Sequence, residues 1–152
     1  MFRGINAITI DIKGRLTLPM RYREAFNTEN ISVLVITIDI EETCLLMYPV
    51  SEWQLIENKL QNLPSFHAAT RRIQRLLIGH ATDVELDAAG RLLLPPLLRE
   101  YAQLDKKIVL IGQGNKFEIW DELIWQNKRN VWLLEEASGS QDLPDELKTL
   151  SL

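Results

Sequence analysis

Five basic side chains in the first 26 residues have the chemistry needed to bind a nucleic acid. An arginine guanidinium can donate two parallel hydrogen bonds to a phosphate or to the edge of a guanine, and a lysine ammonium adds a point charge. This segment has only two carboxylates, so its net charge is +3, whereas residues 133–152 carry a net charge of −4. The candidate contact residues are Arg3, Lys13, Arg15, Arg21 and Arg23.

Part of this basic segment occurs twice in the chain. Residues 11–19 read Asp-Ile-Lys-Gly-Arg-Leu-Thr-Leu-Pro, and residues 87–95 read Asp-Ala-Ala-Gly-Arg-Leu-Leu-Leu-Pro. When residues 8–24 are aligned with residues 84–100 without a gap, eight of the seventeen positions are identical. This internal repeat indicates that the chain is built from two similar half-units.

Each copy of the repeat is predicted to form a strand, a tight turn and a second strand that leads into a helix. Apolar and polar residues alternate on both sides of the turn, and the proline after the second strand suits the start of a helix. The aspartate can accept hydrogen bonds from the nearby backbone, and the glycine can adopt a positive φ. We therefore assign a structural role in the turns to Asp11, Gly14, Asp87, Gly90 and Arg91.

The doubled Asp-x-x-x-Arg motif, followed each time by Leu-x-Leu-Pro, resembles the MraZ family of bacterial transcription regulators over nearly the whole chain. The resemblance implies an α+β fold that is mainly β: a pseudo-symmetric, swapped-hairpin β-barrel of two AbrB/SpoVT-like half-units with flanking helices. It also implies a ring-like homo-oligomer that binds double-stranded promoter DNA at direct repeats. By the same resemblance, the protein represses its own promoter and the division and cell-wall gene cluster.

The two copies of the repeat differ in charge. Ala89 stands where the first copy has Lys13, and Leu97 stands where it has Arg21. We therefore expect the first half to contact DNA and the second half to be structural or to form part of a subunit interface. Two roles stay open for Arg15, whose guanidinium could contact DNA or could pair with the aspartate of its turn. Whether the second half touches DNA through Arg91 is also open.

Helices are predicted to flank the two half-units. We place the first half-unit at residues 1–50, a linking helical pair at residues 51–80, the second half-unit at residues 81–124, and a C-terminal helix with an acidic tail at residues 125–152.

Helix ends are predicted from local signals. Ser51 and Gln54 have the spacing of a capping box, which predicts a helix start at Ser51. Gly79 is predicted to stop the next helix. The C-terminal helix is predicted to end near Arg129, and the chain beyond Glu136 is predicted to be mobile.

The sequence offers little for catalysis or for a cofactor. The two histidines, His67 and His80, lack metal-ligand spacing, and Cys44 lies in an apolar run typical of a buried, inert thiol. No glycine-rich loop of the phosphate-binding kinds is present. We therefore predict a protein that is not an enzyme and needs no cofactor, metal or small-molecule substrate.

Location and partner class follow from the rest of the composition. No apolar run approaches the roughly 18 residues of a membrane span, and the N-terminus lacks the apolar core of a signal peptide. We expect a cytoplasmic, nucleoid-associated protein. Because the net charge is −4, an alternative stays open: a protein-interaction module, antitoxin-like or a scaffold, that does not bind DNA directly.

Overall fold

The computed structural model describes residues 1–139 and 142–151, which contain eight strands and six helices. The strands are β1 (Phe2–Thr9), β2 (Arg15–Thr17), β3 (Val33–Ile38), β4 (Leu45–Pro49), β5 (Thr82–Glu85), β6 (Arg91–Leu93), β7 (Lys107–Gly114) and β8 (Phe117–Asp121). The helices are α1 (Met20–Thr28), α2 (Val50–Gln61), α3 (Ala68–His80), α4 (Pro96–Tyr101), α5 (Glu122–Ala137) and α6 (Asp145–Lys148). The predicted α+β class is confirmed.

The two halves of the chain exchange strands. A six-stranded antiparallel sheet has the order β1-β7-β8-β4-β3-β5, and a two-stranded sheet pairs β2 with β6. Four of the six strand pairs therefore join a strand of the first half to a strand of the second half. Among the strands of the described residues, only the hairpins β3–β4 and β7–β8 pair strands within one half. The repeat predicted two similar half-units, and the family resemblance predicted the swapped arrangement that this exchange shows.

Both sheets contribute to one apolar core. Leu16 and Leu92 of the two-stranded sheet are buried in the same cluster as Ile36 of β3 and Leu110 of β7. The core is thus enclosed between the six-stranded sheet and the two-stranded sheet, which is the barrel-like packing expected of this fold. Every strand pair across the halves helps to close it.

Strand β3 is an interior strand of the sheet, between β4 and the edge strand β5, and it is buried as its apolar run predicted. Residues 34–38 are all buried. Leu34 and Ile36 point into the main core, while Val35 faces a smaller cluster with Tyr48 and Trp53 of β4 and α2. Burial on both faces explains why the strand reads as an apolar run without alternation.

Two helix boundaries differ from the sequence predictions. Helix α2 begins at Val50, and Pro49 occupies the N-cap position without a side-chain capping bond, so the predicted capping box from Ser51 is wrong. Helix α3 begins at Ala68 and continues through Gly79 to His80. It ends where Ala81 adopts extended backbone (φ −62°, ψ 126°) and leads directly into β5, so entry into the sheet, and not a glycine, stops this helix.

The chain divides into two compact units, residues 1–122 and residues 123–152. In the second unit, α5 continues eight residues past its predicted end at Arg129, because residues 130–137 contain no proline or glycine. The short helix α6 was not predicted. Part of the segment that was predicted to be mobile lies outside the described residues, namely Ser140, Gln141 and Leu152. None of the helices that the structure describes is both long enough and apolar enough to span a membrane.

Candidate nucleic-acid interface

The turn between β1 and β2, residues 11–15, is held by one aspartate and is called the first turn. Asp11 Oδ1 accepts hydrogen bonds from the backbone N–H groups of Lys13 and Arg15, each at 2.9 Å. Asp11 Oδ2 accepts the Nε–H of Arg15 at 2.7 Å. Gly14 completes the turn with φ +85°, a conformation that favours glycine. The aspartate therefore fixes both the backbone of the turn and the direction of the Arg15 side chain.

The equivalent turn between β5 and β6, residues 87–91, has the same geometry and is called the second turn. Asp87 Oδ1 accepts the N–H groups of Ala89 and Arg91 at 2.9 Å each, and Asp87 Oδ2 accepts the Nε–H of Arg91 at 2.8 Å. Gly90 has φ +74°. The two turns are thus the same structural element with different side chains at the second and third positions, which are Ile12 and Lys13 in one and Ala88 and Ala89 in the other.

The first turn leaves donor groups available to a ligand. The ion pair with Asp11 uses the Nε of Arg15, and in residues 1–139 and 142–151 the terminal nitrogens of that guanidinium make no hydrogen bond. Lys13 is exposed, and the Arg15 side chain is 28% exposed. Arg15 can therefore keep its pair with Asp11 and still present both terminal nitrogens, so the two roles left open by the sequence are compatible.

Hydrogen bonds in the turns lower the pKa of both aspartates below the ordinary value of 3.8, chiefly because the backbone N–H of Arg15 or Arg91 donates to the carboxylate. A lowered pKa means that the carboxylates stabilise the fold fully at higher pH, and that this contribution is lost as the pH falls through the lowered pKa. We expect carbon-13 NMR titration of the Asp11 and Asp87 carboxyl carbons to give midpoints below 3.8. Midpoints at or above 3.8 would contradict the hydrogen-bonded turns.

Two other predicted contact residues form a separate group near the N-terminus. The Arg21 guanidinium donates to Asn6 Oδ1 at 2.6 Å and to the Tyr22 hydroxyl at 2.7 Å, and it lies 4.6 Å from the centre of the Tyr22 ring. The Tyr22 hydroxyl donates to the carbonyl of Arg3. Arg3 and Arg21 are both exposed. Tyr22 thus links the Arg21 side chain to the backbone of Arg3 on β1 and orients Arg21. Arg3 and Arg21 are called the group beside β1, while Lys13 and Arg15 lie on the first turn.

Arg23 has a different environment from the other predicted contacts. Its Nη1 donates to the carbonyl of Ala89 at 3.2 Å, and its side chain packs against Gly90, so it lies at the second turn and is half-buried. Arg99, the equivalent residue in the repeat, packs against Gly14 at the first turn. Arg99 was not among the residues predicted from the sequence. The identity of Arg23 and Arg99 in the repeat was the available signal.

One cluster has the donor types of a metal site. Ligand atoms of Asp39, Cys44 and Glu118 lie within 4.8 Å of one another. Hydrogen bonds already connect them to the protein: the Cys44 thiol lies 3.6 Å from Asp39 Oδ2, and the Trp120 Nε1–H donates to Glu118 at 3.0 Å. Burial, with the nearby carboxylates, raises the pKa of the Cys44 thiol far above its ordinary value, so the thiol is neutral and inert. The cluster is explained as a hydrogen-bonded part of the core.

Comparison with known proteins gives a consistent assignment. The family model described as "MraZ protein, putative antitoxin-like" matches residues 1–76 and 77–132. A protein of Legionella pneumophila (strain Corby) named transcriptional regulator MraZ is 65% identical over 152 residues, which is the whole of both chains. Proteins with the same name from Coxiella burnetii and Halorhodospira halophila are 57% and 49% identical over the same full length. The duplicated turn, the exchanged strands and these matches together show that the chain belongs to the MraZ family.

Proposed function

We propose that the protein is a transcriptional regulator that binds double-stranded promoter DNA sequence-specifically through its first turn. The observation that carries this proposal is the comparison of the two turns. Their hydrogen bonds are the same, but only the first turn adds an exposed lysine beside the arginine. A pair of such cations matches the phosphates and guanine edges of a duplex. The names of the full-length relatives support the same function.

Four of the five basic candidates contact DNA in this proposal, whereas Arg23 packs against the second turn and is not assigned a DNA contact. Lys13 and Arg15 contact the bases and phosphates of the DNA. Arg3 and Arg21, the group beside β1, contact the sugar–phosphate backbone of the DNA. The aspartates hold the turns and do not contact DNA, because carboxylates repel phosphates. Arg91 keeps its role within the second turn.

Affinity in this proposal depends on several copies of the chain. One subunit offers only a few cations, and each neutralised phosphate contributes a limited, salt-dependent term. A ring-like homo-oligomer that engages direct repeats would raise the avidity by about 10²–10⁴ through effective concentration. Such a complex would occlude the promoter, so we propose repression of the protein's own promoter and of the division and cell-wall gene cluster. The protein would act at the nucleoid, in the cytoplasm, without a cofactor or a catalytic step.

The proposal is tested by fluorescence anisotropy with a duplex from the gene's own upstream region and a shuffled duplex of the same composition. We expect preference for the upstream duplex at about 150 mM salt. We also expect log Kd to rise with log salt concentration, with a slope of about 0.9 per neutralised phosphate. Equal binding of the two duplexes would refute the proposal. A stable complex with a cellular protein that survives nuclease treatment would then favour the protein-interaction alternative.

A further inference from the structure

An arginine of the second half packs against the first turn. Arg99 lies on α4, and its guanidinium packs so closely against Gly14 that a Cβ built on that glycine would lie 2.8 Å from Arg99 Cζ and 3.0 Å from each terminal nitrogen. A side chain at residue 14 would therefore displace the Arg99 guanidinium, and the positive φ of the residue independently favours glycine. The first turn is therefore in close contact with a side chain that lies 85 residues further along the chain.

A similar contact occurs at the second turn, where an arginine of the first half packs against a glycine of the second half. Arg23 lies on α1, and a Cβ built on Gly90 would lie 2.0 Å from Arg23 Cδ and 2.8 Å from its Nε. The two arginines are equivalent in the repeat, and each crosses to the turn of the other half. The repeat thus supplies two related contacts, one at the turn proposed to bind DNA and one at the turn that lacks its lysine. The second contact also includes the hydrogen bond from Arg23 Nη1 to the carbonyl of Ala89.

Each of the two glycines also accepts a backbone hydrogen bond from the other half. The N–H of Leu94 donates to the carbonyl of Gly14 at 3.0 Å, and the N–H of Leu18 donates to the carbonyl of Gly90 at 2.9 Å. Each glycine is thus held by a hydrogen bond from the other half and by an arginine of the other half. Movement of the turn would break the hydrogen bond and the packing together.

The environment of Arg99 separates it from the exposed cations. Its Nε is buried, and within the described residues that atom has no hydrogen-bond partner. The residue as a whole is only partly exposed, and it lines a cleft beside the first turn together with Asp11 and Ile12. The close contact with Gly14 is therefore a packing contact of the guanidinium with the peptide backbone.

We propose that Arg99 is a positioning residue for the DNA contacts of the first turn: it fixes Gly14, and through it the directions of Lys13 and Arg15. Arg23 does the same for the second turn and does not contact DNA. This inference rests on the proposed function, because the first turn is taken to be the turn that binds. It adds that the second half acts on DNA recognition without touching the duplex.

The first test follows the turns themselves by hydrogen–deuterium exchange and mass spectrometry on peptides that cover each turn. In Arg99→Ala we expect exchange in the first turn to accelerate about tenfold and exchange in the second turn to stay within about twofold of wild type. Arg23→Ala should give the reverse pattern. If Arg99→Ala accelerates neither turn, or both turns equally, the inference is wrong whatever the DNA result.

The second test measures duplex affinity in the same variants and in Arg99→Lys. Arg99→Ala should weaken binding of the upstream duplex about tenfold, and Arg23→Ala should stay within about twofold of wild type. Arg99→Lys should also weaken binding, because an ammonium keeps the charge but not the planar group that packs on Gly14. Wild-type affinity in Arg99→Lys, or equal losses in Arg99→Ala and Arg23→Ala, would overturn the proposal.

These tests also distinguish the inference from the proposed function. A wild-type protein that does not prefer the upstream duplex would refute the proposed function and, with it, the role of Arg99 in DNA binding. The exchange experiment would still decide whether Arg99 positions the first turn. A wild-type protein that does prefer the upstream duplex, combined with unchanged exchange in Arg99→Ala, would refute the positioning role alone.

Discussion

Replacing Arg15 with alanine is expected to weaken binding of the upstream duplex by about 1–3 kcal/mol, roughly 5- to 150-fold. Its terminal nitrogens are available in the first turn, and its Nε is held by Asp11 at 2.7 Å, so the guanidinium is oriented before DNA arrives. An oriented donor group loses less entropy on binding than a flexible one. The measurement is fluorescence anisotropy at constant salt, with the oligomer size of each variant checked by light scattering.

Arg91→Ala is the matched control for this prediction. It removes the same type of ion pair at 2.8 Å from the second turn, and its partners are 38% and 40% exposed. Ion pairs this exposed are screened by solvent and contribute little to stability, so both variants should fold and both should lose a similar small amount of stability. We expect wild-type duplex affinity in Arg91→Ala. Equal loss of affinity in the two variants would show that the ion pairs act only by holding the fold.

Replacing Phe117 with alanine is expected to lower the free energy of unfolding by about 3–5 kcal/mol. This ring is fully buried on β8 in the second half and contacts aromatic rings of the first half: its centre lies 4.4 Å from that of Phe2 and 4.8 Å from that of Tyr22. The loss would remove contacts that join the exchanged strands. Because β1 and β8 come from different halves, we expect the whole fold of residues 1–122 to lose stability together.

Phe66→Ala is the control, because it makes the same change of side chain at an exposed position. Phe66 is 93% exposed, and surface substitutions of this kind usually change stability by less than about 0.5 kcal/mol. The measurement is urea denaturation followed by tryptophan fluorescence, at one fixed protein concentration because association stabilises a folded oligomer. Two separate transitions in Phe117→Ala, with one half unchanged, would contradict a core shared by the exchanged halves.

Local features of this fold could be predicted from the sequence. The Asp-x-x-Gly-Arg turn is specified within five residues, because the aspartate binds the backbone of its own turn and the glycine adopts the positive φ. The burial of β3 on both faces follows from its almost wholly apolar run. These predictions depend only on neighbouring residues, so one sequence is sufficient for them.

Long-range features could not be predicted from the residues alone. Nothing near β1 specifies that it pairs with β7 across a separation of about a hundred residues, since register in a sheet is set by distant packing. The exchange was predicted only through the family resemblance. Arg99 was missed for a similar reason: its contact with Gly14 exists only after α4 has packed beneath the first turn.

The sequence offered no reason to treat the five predicted contact residues differently, but in the structure their surroundings differ. Arg21 and Arg23 are two residues apart on α1, but Arg21 is exposed and held beside Tyr22, whereas Arg23 crosses to Gly90. Counting charges cannot distinguish these positions, because a helix turns its successive residues to different sides. The group of five cations therefore divides into the first turn, the group beside β1, and a support for the second turn.

The most direct test of the central claim is photo-crosslinking from the tips of the two turns. Ile12 is fully exposed at the first turn, and Ala88 is its exposed counterpart at the second turn, so each can carry p-benzoylphenylalanine without loss of a buried contact. We expect the upstream duplex to crosslink from position 12 and not from position 88, and unlabelled upstream duplex to suppress the crosslink. Equal crosslinking from both positions, or none from position 12 in a protein that still binds the duplex, would contradict DNA recognition by the first turn.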